Sequence, residues 1–293
     1  MHDALLDTST CFEIVLGADS DLLLSKIEQF VATNKLRLIV PEVVANEFAR
    51  HREDQEQRTL KKQLSILENA KKLLREHCDS SQHQAISSSF EVTEKAIGDQ
   101  KAGIDRAINR VEDLFRHPST QRPGLNLGIN ERVVDRGIKK LAPFNRTKKA
   151  PSETRNKNSV ADAVVFETFV ESVKLRETNA RKMIFVNANP NDFSDANDSS
   201  LPHPDLAEVF QKPNVEYCPN IGAVLNQIEE TAVPEPVVRH ISDVIEMRHG
   251  RCPKCGNGKM VDGTYHPSQY GGLTWHLICD NCRNLIDTGD SFD

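Results

Sequence analysis

At 293 residues the chain has room for one good-sized domain and a smaller one. A hydrophobic fraction of 38 % suffices for a core, 27 % charged residues fits a soluble protein, and no apolar run approaches the roughly 18 residues that span a membrane. The net charge of −6 argues only weakly against nucleic acid, because carboxylates in a metal site and a basic substrate track can share one chain.

The N-terminus, Met1-His2-Asp3-Ala4-Leu5-Leu6-Asp7, lacks the basic segment and apolar stretch of a secretory signal. Of seven cysteines, four form two close pairs and Cys11, Cys78 and Cys218 are scattered. That pattern fits a reducing compartment, here the cytoplasm, with the paired cysteines serving a metal and the others packing.

The first predicted element is a buried strand over 4–7, an apolar run ending in an acid. A helix over 21–32 follows, with Leu22, Leu23, Ile27 and Phe30 on its apolar side. Residues 36–41 read as a second strand closed by Pro41, and 42–51 as a helix with proline at its first turn. This alternation opens an α/β fold with a parallel sheet. Over 54–116 the apolar residues recur at helical spacing, Leu60 to Leu74 on one stripe and Ile97 to Phe115 on another, which predicts a helical hairpin inserted in the core. A Pro- and Gly-rich loop is expected over 117–130. The basic stretch 136–157 includes Lys148, Lys149, Arg155 and Lys157 against a single acid, Glu153. Helix is predicted over 159–175, strand over 182–186 and 215–218, and a last helix over 221–229. The domain reading is 1–231, a connector over 232–248 around Pro234 and Pro236, and a small unit over 249–293.

Four acids fall at corresponding topological points. Asp7 ends the first strand, Glu47 lies just inside the helix after the second, Asp162 lies in the first turn of the helix after the basic stretch, and Asp192 follows the strand over 182–186. Strand C-termini and helix starts share one edge of a parallel sheet, where ligands bind. Acids gathered there repel one another unless a cation intervenes, and hard oxygen ligands suit Mg²⁺ or Mn²⁺. Such ions activate water for phosphodiester hydrolysis. Singly, each acid also has a plain reading as a cap, a solvated helix residue or a turn former.

The motifs that carry these acids resemble those of PIN domains. Leu5-Leu6-Asp7-Thr8-Ser9 is similar to the first motif and Pro41-Glu42-Val43-Val44-Ala45-Asn46-Glu47 to the second. Ala161-Asp162-Ala163-Val164-Val165-Phe166-Glu167 is similar to the third, and the run from Phe185 to Phe193 to the fourth. The likeness covers roughly 3–230 and is nearest a bacterial PIN-like branch of largely unassigned function. It implies a metal-dependent nuclease with Asp7, Glu47, Asp162 and Asp192 as metal-binding acids. Ser9 and Asn189 are implied as polar supports, and Asp195 stands close enough to compete with Asp192. RNA is favoured over DNA because most relatives cut RNA, and a toxin or anti-phage setting comes from the same resemblance. Asn187 departs from the branch's usual Thr or Ser, and the residues before Asp162 lack its usual Gly or Lys.

Cys252-Pro253-Lys254-Cys255 and Cys279-Asp280-Asn281-Cys282 are two knuckles separated by 23 residues. Two residues between thiolates let a tight turn aim both sulfurs at one ion, and two such turns complete a tetrahedral Zn²⁺ site. The expected unit is a structural zinc ribbon whose partner is nucleic acid, a protein or another copy of the chain. The basic stretch reads as a phosphate track toward Asp162, through Lys148, Lys149, Arg155 and Lys157, or as a solvated loop. The rival readings are a structure-selective DNA nuclease, a catalytically silent PIN-like scaffold with a regulatory protein partner, and a homo-oligomer joined by its helical hairpins.

Overall fold

The computed structural model describes residues 1–77, 80–144, 159–176 and 181–248, and in the C-terminal segment 250, 252, 255, 260–267, 273–283 and 285–292. The chain opens with β1 (His2–Leu6), whose last four residues are buried, as both faces of a central parallel strand require. Helix α1 (Thr8–Leu16) follows at once. Asp7 caps it, its carboxylate accepting the Ser9 backbone N–H. Helix α2 (Ser20–Ala32) buries Leu23, Leu24, Ile27, Phe30 and Val31, and leads into β2 (Leu36–Ile39).

Helix α3 (Glu42–His77) and helix α4 (Ser80–Arg116) pack as a long hairpin. Its first arm is a direct continuation of the helix that carries Glu47, so the helical stretch grows out of the sheet layer without a break. Ile104, Ile108, Val111 and Phe115 are buried, as their spacing predicts, whereas Leu64 is exposed. Helix α5 (Leu127–Lys139) begins inside the stretch read as loop, capped by the Asn126 carboxamide.

Helix α6 (Ser159–Leu175) precedes β3 (Lys182–Val186) and crosses the sheet. Phe166 and Phe169 contact the Phe185 ring at centroid distances of 6.0 and 5.3 Å, which seats α6 on β3. Next come the single-turn helix α7 (Pro190–Phe193), a 3₁₀ turn at Pro204–Leu206, helix α8 (Ala207–Phe210), β4 (Val215–Cys218) and helix α9 (Ile221–Ile228). The four strands run parallel in the order β2-β1-β3-β4. This is the expected parallel-sheet α/β fold.

The segment read as a connector carries helix α10 (Glu235–Arg248). Pro236 sits in its first turn, where no backbone N–H is required. Ile241 and Ile245 are buried in the same core as β1. Beyond it, β5 (Met260–Pro267), β6 (Leu273–Cys279) and β7 (Leu285–Phe292) form an antiparallel sheet in that order.

Candidate active site

Three of the four predicted acids are tied together by hydrogen bonds at the C-terminal edge of the parallel sheet. Asp7 Oδ2 accepts from the Ser9 hydroxyl at 2.7 Å. Thr8 Oγ1 donates to Glu47 Oε2 at 2.7 Å and so joins the start of α1 to α3, 39 residues on. The Ser9 hydroxyl also faces Asn187 Oδ1 at 3.0 Å. Asn187 Nδ2 donates to the Asn189 carbonyl at 2.6 Å, and Asn189 Nδ2 donates to Asp192 Oδ2 at 2.5 Å. One connected path therefore runs from Asp7 through Ser9, Asn187 and Asn189 to Asp192.

Asn187 is the hub of that path. Its carbonyl oxygen accepts the Asn189 backbone N–H and shares the single Ser9 hydroxyl proton with Asp7, while its amide donates to the Asn189 carbonyl. A carboxamide offers two donors and two lone pairs, which one hydroxyl cannot match. The departure from Thr or Ser at this position thus links the fourth motif to the first. Tyr217, Thr8 and Thr10 were not singled out by sequence. Thr10 clamps the same turn, donating to the Val186 carbonyl and accepting the Ala188 N–H, both at 3.1 Å.

Asp7 and Asp192 are buried, at 6 % and 5 % exposure. Burial pushes the Asp7 carboxyl up to about 6; the Ser9 hydrogen bonds oppose the rise, and the negative charges of Asp192 and Glu47 add to it. Those two charges reach Asp7 electrostatically, so the three acids share one field. Tyr217 is pushed up to about 12, chiefly by burial, and its hydroxyl stays protonated beside Ser194 Oγ at 2.7 Å.

Asp162 lies in the first turn of α6, partly buried, at the same edge, because α6 descends from there toward the start of β3. Its neighbour Ala161 shares a cavity with Glu47 on α3. The Asp195 carboxylate accepts the Asn197 N–H at 2.7 Å in a turn of the following loop. Lys148, Lys149, Arg155 and Lys157 lie outside the described residues. At the start of the basic stretch, Arg136 folds inward to pair with the buried Glu167 and lies over the Phe166 ring at 4.7 Å.

The donor set fits a hard divalent cation. Asp7 and Glu47 each commit one oxygen to a hydroxyl, which orients the carboxylate, and a cation would relieve the repulsion among buried acids.

The sulfur site is built differently. Sγ atoms of Cys252, Cys255, Cys279 and Cys282 all lie within 4.8 Å of one another, the only such group of three or more metal-ligating side chains among the described residues. Cys252 and Cys282 are 3.7 Å apart and Cys255 and Cys279 3.6 Å. Zinc–sulfur bonds of about 2.3 Å in a tetrahedron place thiolates about 3.8 Å apart. The Cys282 N–H donates to Cys279 Sγ at 3.3 Å, as a knuckle turn provides. The quartet is that of a zinc ribbon. Cys11 and Cys218 are buried with thiols pushed up by burial, Cys218 to about 11, which keeps them protonated packing residues. Cys78 lies outside the described residues.

Among the described residues no helix is long and apolar enough to cross a membrane. A family model described as PIN domain matches residues 5–193. No curated protein and no solved structure matches the chain.

Proposed function

The chain belongs to the PIN-domain family, a nuclease-type family that generally uses divalent metals, and from that premise we propose that it hydrolyses phosphodiester bonds in RNA. The observation that supports this reading is the hydrogen-bonded path that joins Asp7, Ser9, Asn187, Asn189 and Asp192, with Glu47 attached through Thr8. Such a path fixes carboxylate orientation before any ligand arrives.

In the proposed site Asp7, Glu47, Asp162 and Asp192 hold Mg²⁺ or Mn²⁺. The bound cation supplies a lowered water pKa and stabilises charge on the scissile phosphate. Ser9 and Asn189 hold the Asp7 and Asp192 carboxylates in place, and Asn187 keeps those two supports in register. Lys148, Lys149, Arg155 and Lys157 are the proposed phosphate track. We assign residues 1–231 to the nuclease unit, 232–248 to a structured connector and 249–293 to the ribbon. The ribbon's quartet holds structural Zn²⁺, and nucleic acid is its proposed partner. A cytoplasmic toxin or anti-phage effector is the proposed setting, on the resemblance alone.

The test is cleavage of labelled single-stranded RNA and DNA and of branched DNA with added Mn²⁺ or Mg²⁺, comparing wild type with Asp7→Asn. Metal-dependent RNA cutting that disappears in the variant supports the proposal. Cutting confined to branched DNA replaces RNA by a structure-selective DNA substrate. An inert wild type that also fails to bind Mn²⁺ by calorimetry makes the chain a silent scaffold.

A further inference from the structure

A second charged site lies at the opposite edge of the parallel sheet and stands independently of the nuclease reading. β1, β2 and β3 begin there, with His2 paired to Leu36 and to Lys182. Asp3 and Asp7 are four residues apart on one extended run, roughly 13 Å at the usual rise of a strand. A cavity of about 480 Å³ opens at this edge, and Arg37, Arg122, Arg176 and Arg181 line it together with Asp3. Among the described residues Asp3 is the only carboxylate in the lining, so four guanidiniums face one acid and the formal charge is +3.

Asp3 is 1 % exposed. It accepts from Arg37 Nε at 3.0 Å and Nη2 at 2.5 Å, and from Arg181 Nη1 at 3.3 Å. That two-pronged pair fixes the plane of Arg37. A purely structural role, joining β1 to β2 and to the start of β3, accounts for Arg37 and Arg181. It does not account for the other two. Arg176 Nη2 is fixed by the Pro213 carbonyl at 2.9 Å, while Nη1 is buried without a hydrogen-bond partner among the described residues. A buried charged donor left unsatisfied is destabilising, and an anionic ligand would offset that cost. Arg122 is exposed at the cavity and forms no ion pair with a described residue.

We propose that this cavity binds the terminal phosphate of a phosphorylated ligand, either a free nucleotide or the phosphorylated end of a nucleic acid. Guanidiniums held in fixed planes match phosphate oxygens in pairs, and a dianionic terminal group gains more from a +3 site than an internal phosphodiester does. The volume lies within the roughly 300–1,000 Å³ range of small-ligand pockets, so a nucleotide fits with its phosphate inward. The acids at the far edge repel the same ligand when no added cation is present.

The experiment uses the full-length Asp7→Asn chain without added divalent cation and without chelator, so that nothing is cut and the sulfur site keeps its metal. Calorimetry with a nucleoside triphosphate and with the bare nucleoside is paired with anisotropy on short oligonucleotides carrying a 5′-phosphate or a 5′-hydroxyl. Binding of the triphosphate but not the nucleoside is expected, with Kd raised at least tenfold in Arg122→Gln and in Arg176→Gln. Arg122 is exposed, so its variant reports on binding even where Arg176→Gln loosens the fold, which circular dichroism melting monitors. At least tenfold preference for the 5′-phosphorylated oligonucleotide assigns the site to a nucleic-acid end. Triphosphate binding without that preference assigns it to a free nucleotide. No binding of any phosphorylated ligand, or binding unchanged in both arginine variants, overturns the proposal.

Discussion

The two candidate metal centres of this chain are assembled in opposite ways. The thiolates come from two knuckles between Cys252 and Cys282, and their sulfurs already lie within 4.8 Å of one another. The three linked acids come from the cap of α1 just after β1, from α3 and from α7, and Asp7 and Asp192 lie 185 positions apart in the sequence. They are joined by side-chain relays and not by mutual contact. A cysteine knuckle carries its geometry in a local turn, whereas the acid site takes its geometry from the sheet. Hence the sulfur site should depend on its ion for its fold, and the acid site should keep its shape without one.

The largest expected effect breaks the comparison on the sulfur side. Cys279→Ser removes the buried thiolate that also accepts the Cys282 N–H. Bound zinc, measured by elemental analysis, should fall from about one ion per chain to none. Amide exchange should show β5, β6 and β7 losing protection together, because structural zinc supplies on the order of 10 kcal/mol to such small units. β1 to β4 should keep theirs. Loss of protection in both sheets would show that the two are one cooperative unit.

Asp7→Asn is the matching test on the oxygen side. Cleavage should fall by about 10³ or more, since the variant removes one carboxylate from the cation's shell. Stability should move the other way. Folding holds the Asp7 carboxyl near 6 against an ordinary 3.8. The folded state therefore binds the proton more tightly, and stability declines as pH rises through that window. Above it, the buried charge costs about 3 kcal/mol at ~1.4 kcal/mol for each pH unit. At pH 7 without added cation, Asp7→Asn should melt higher than wild type. A lower melting temperature would mean that the Asp7 carboxylate holds the fold together rather than straining it.

The same contrast explains what could be read from sequence. Two Cys-x-x-Cys pairs announce a tetrahedral site by spacing alone, because both turns are local. Asp7 and Glu47 were legible because Leu5-Leu6-Asp7 and Pro41-Glu42 mark a strand end and a helix start, and topology then places both at one edge. Asn187 was visible only as a departure. Its partner Ser9 lies 178 residues away, and no local pattern reports such a pairing. α10 was hidden by Pro234 and Pro236, which suit a connector and the first turn of a helix equally well. Leu127 to Lys139 was obscured by Gly124, Gly128 and Pro123, although Asn126 is a good cap. The arginine cavity was not anticipated because Arg37, Arg122, Arg176 and Arg181 are scattered and meet only when β1, β2 and β3 align.

If relays hold the acids, cutting a relay should weaken activity without removing any acid. Asn187→Ala removes three hydrogen bonds from the path, and cleavage should fall by about 10- to 100-fold, the usual cost of losing support around a metal ligand. Mn²⁺ affinity should weaken alongside, and Asn187→Ser should recover part of both by restoring one contact to Ser9. Loss of thermal stability with kcat and Mn²⁺ affinity intact would assign Asn187 to the core and not to the site.

The smallest effect is the most diagnostic, because both centres bind metal only after losing protons. At the acid site the Asp7 carboxyl is raised toward neutrality, to about 6, so its proton must leave as a cation enters near that pH. Log affinity for Mn²⁺ should be flat above pH 7 and fall with a slope of about one below 6, tenfold per unit. Zinc binds thiolates, so four thiols that come together on one ion release several protons and the affinity should fall with a slope well above one. Calorimetry in buffers of different ionisation enthalpy counts those protons directly. A slope above one at the acid site would mean that more than one proton leaves as the metal arrives, and that the relays shield the acids from one another less than the hydrogen-bonded path implies.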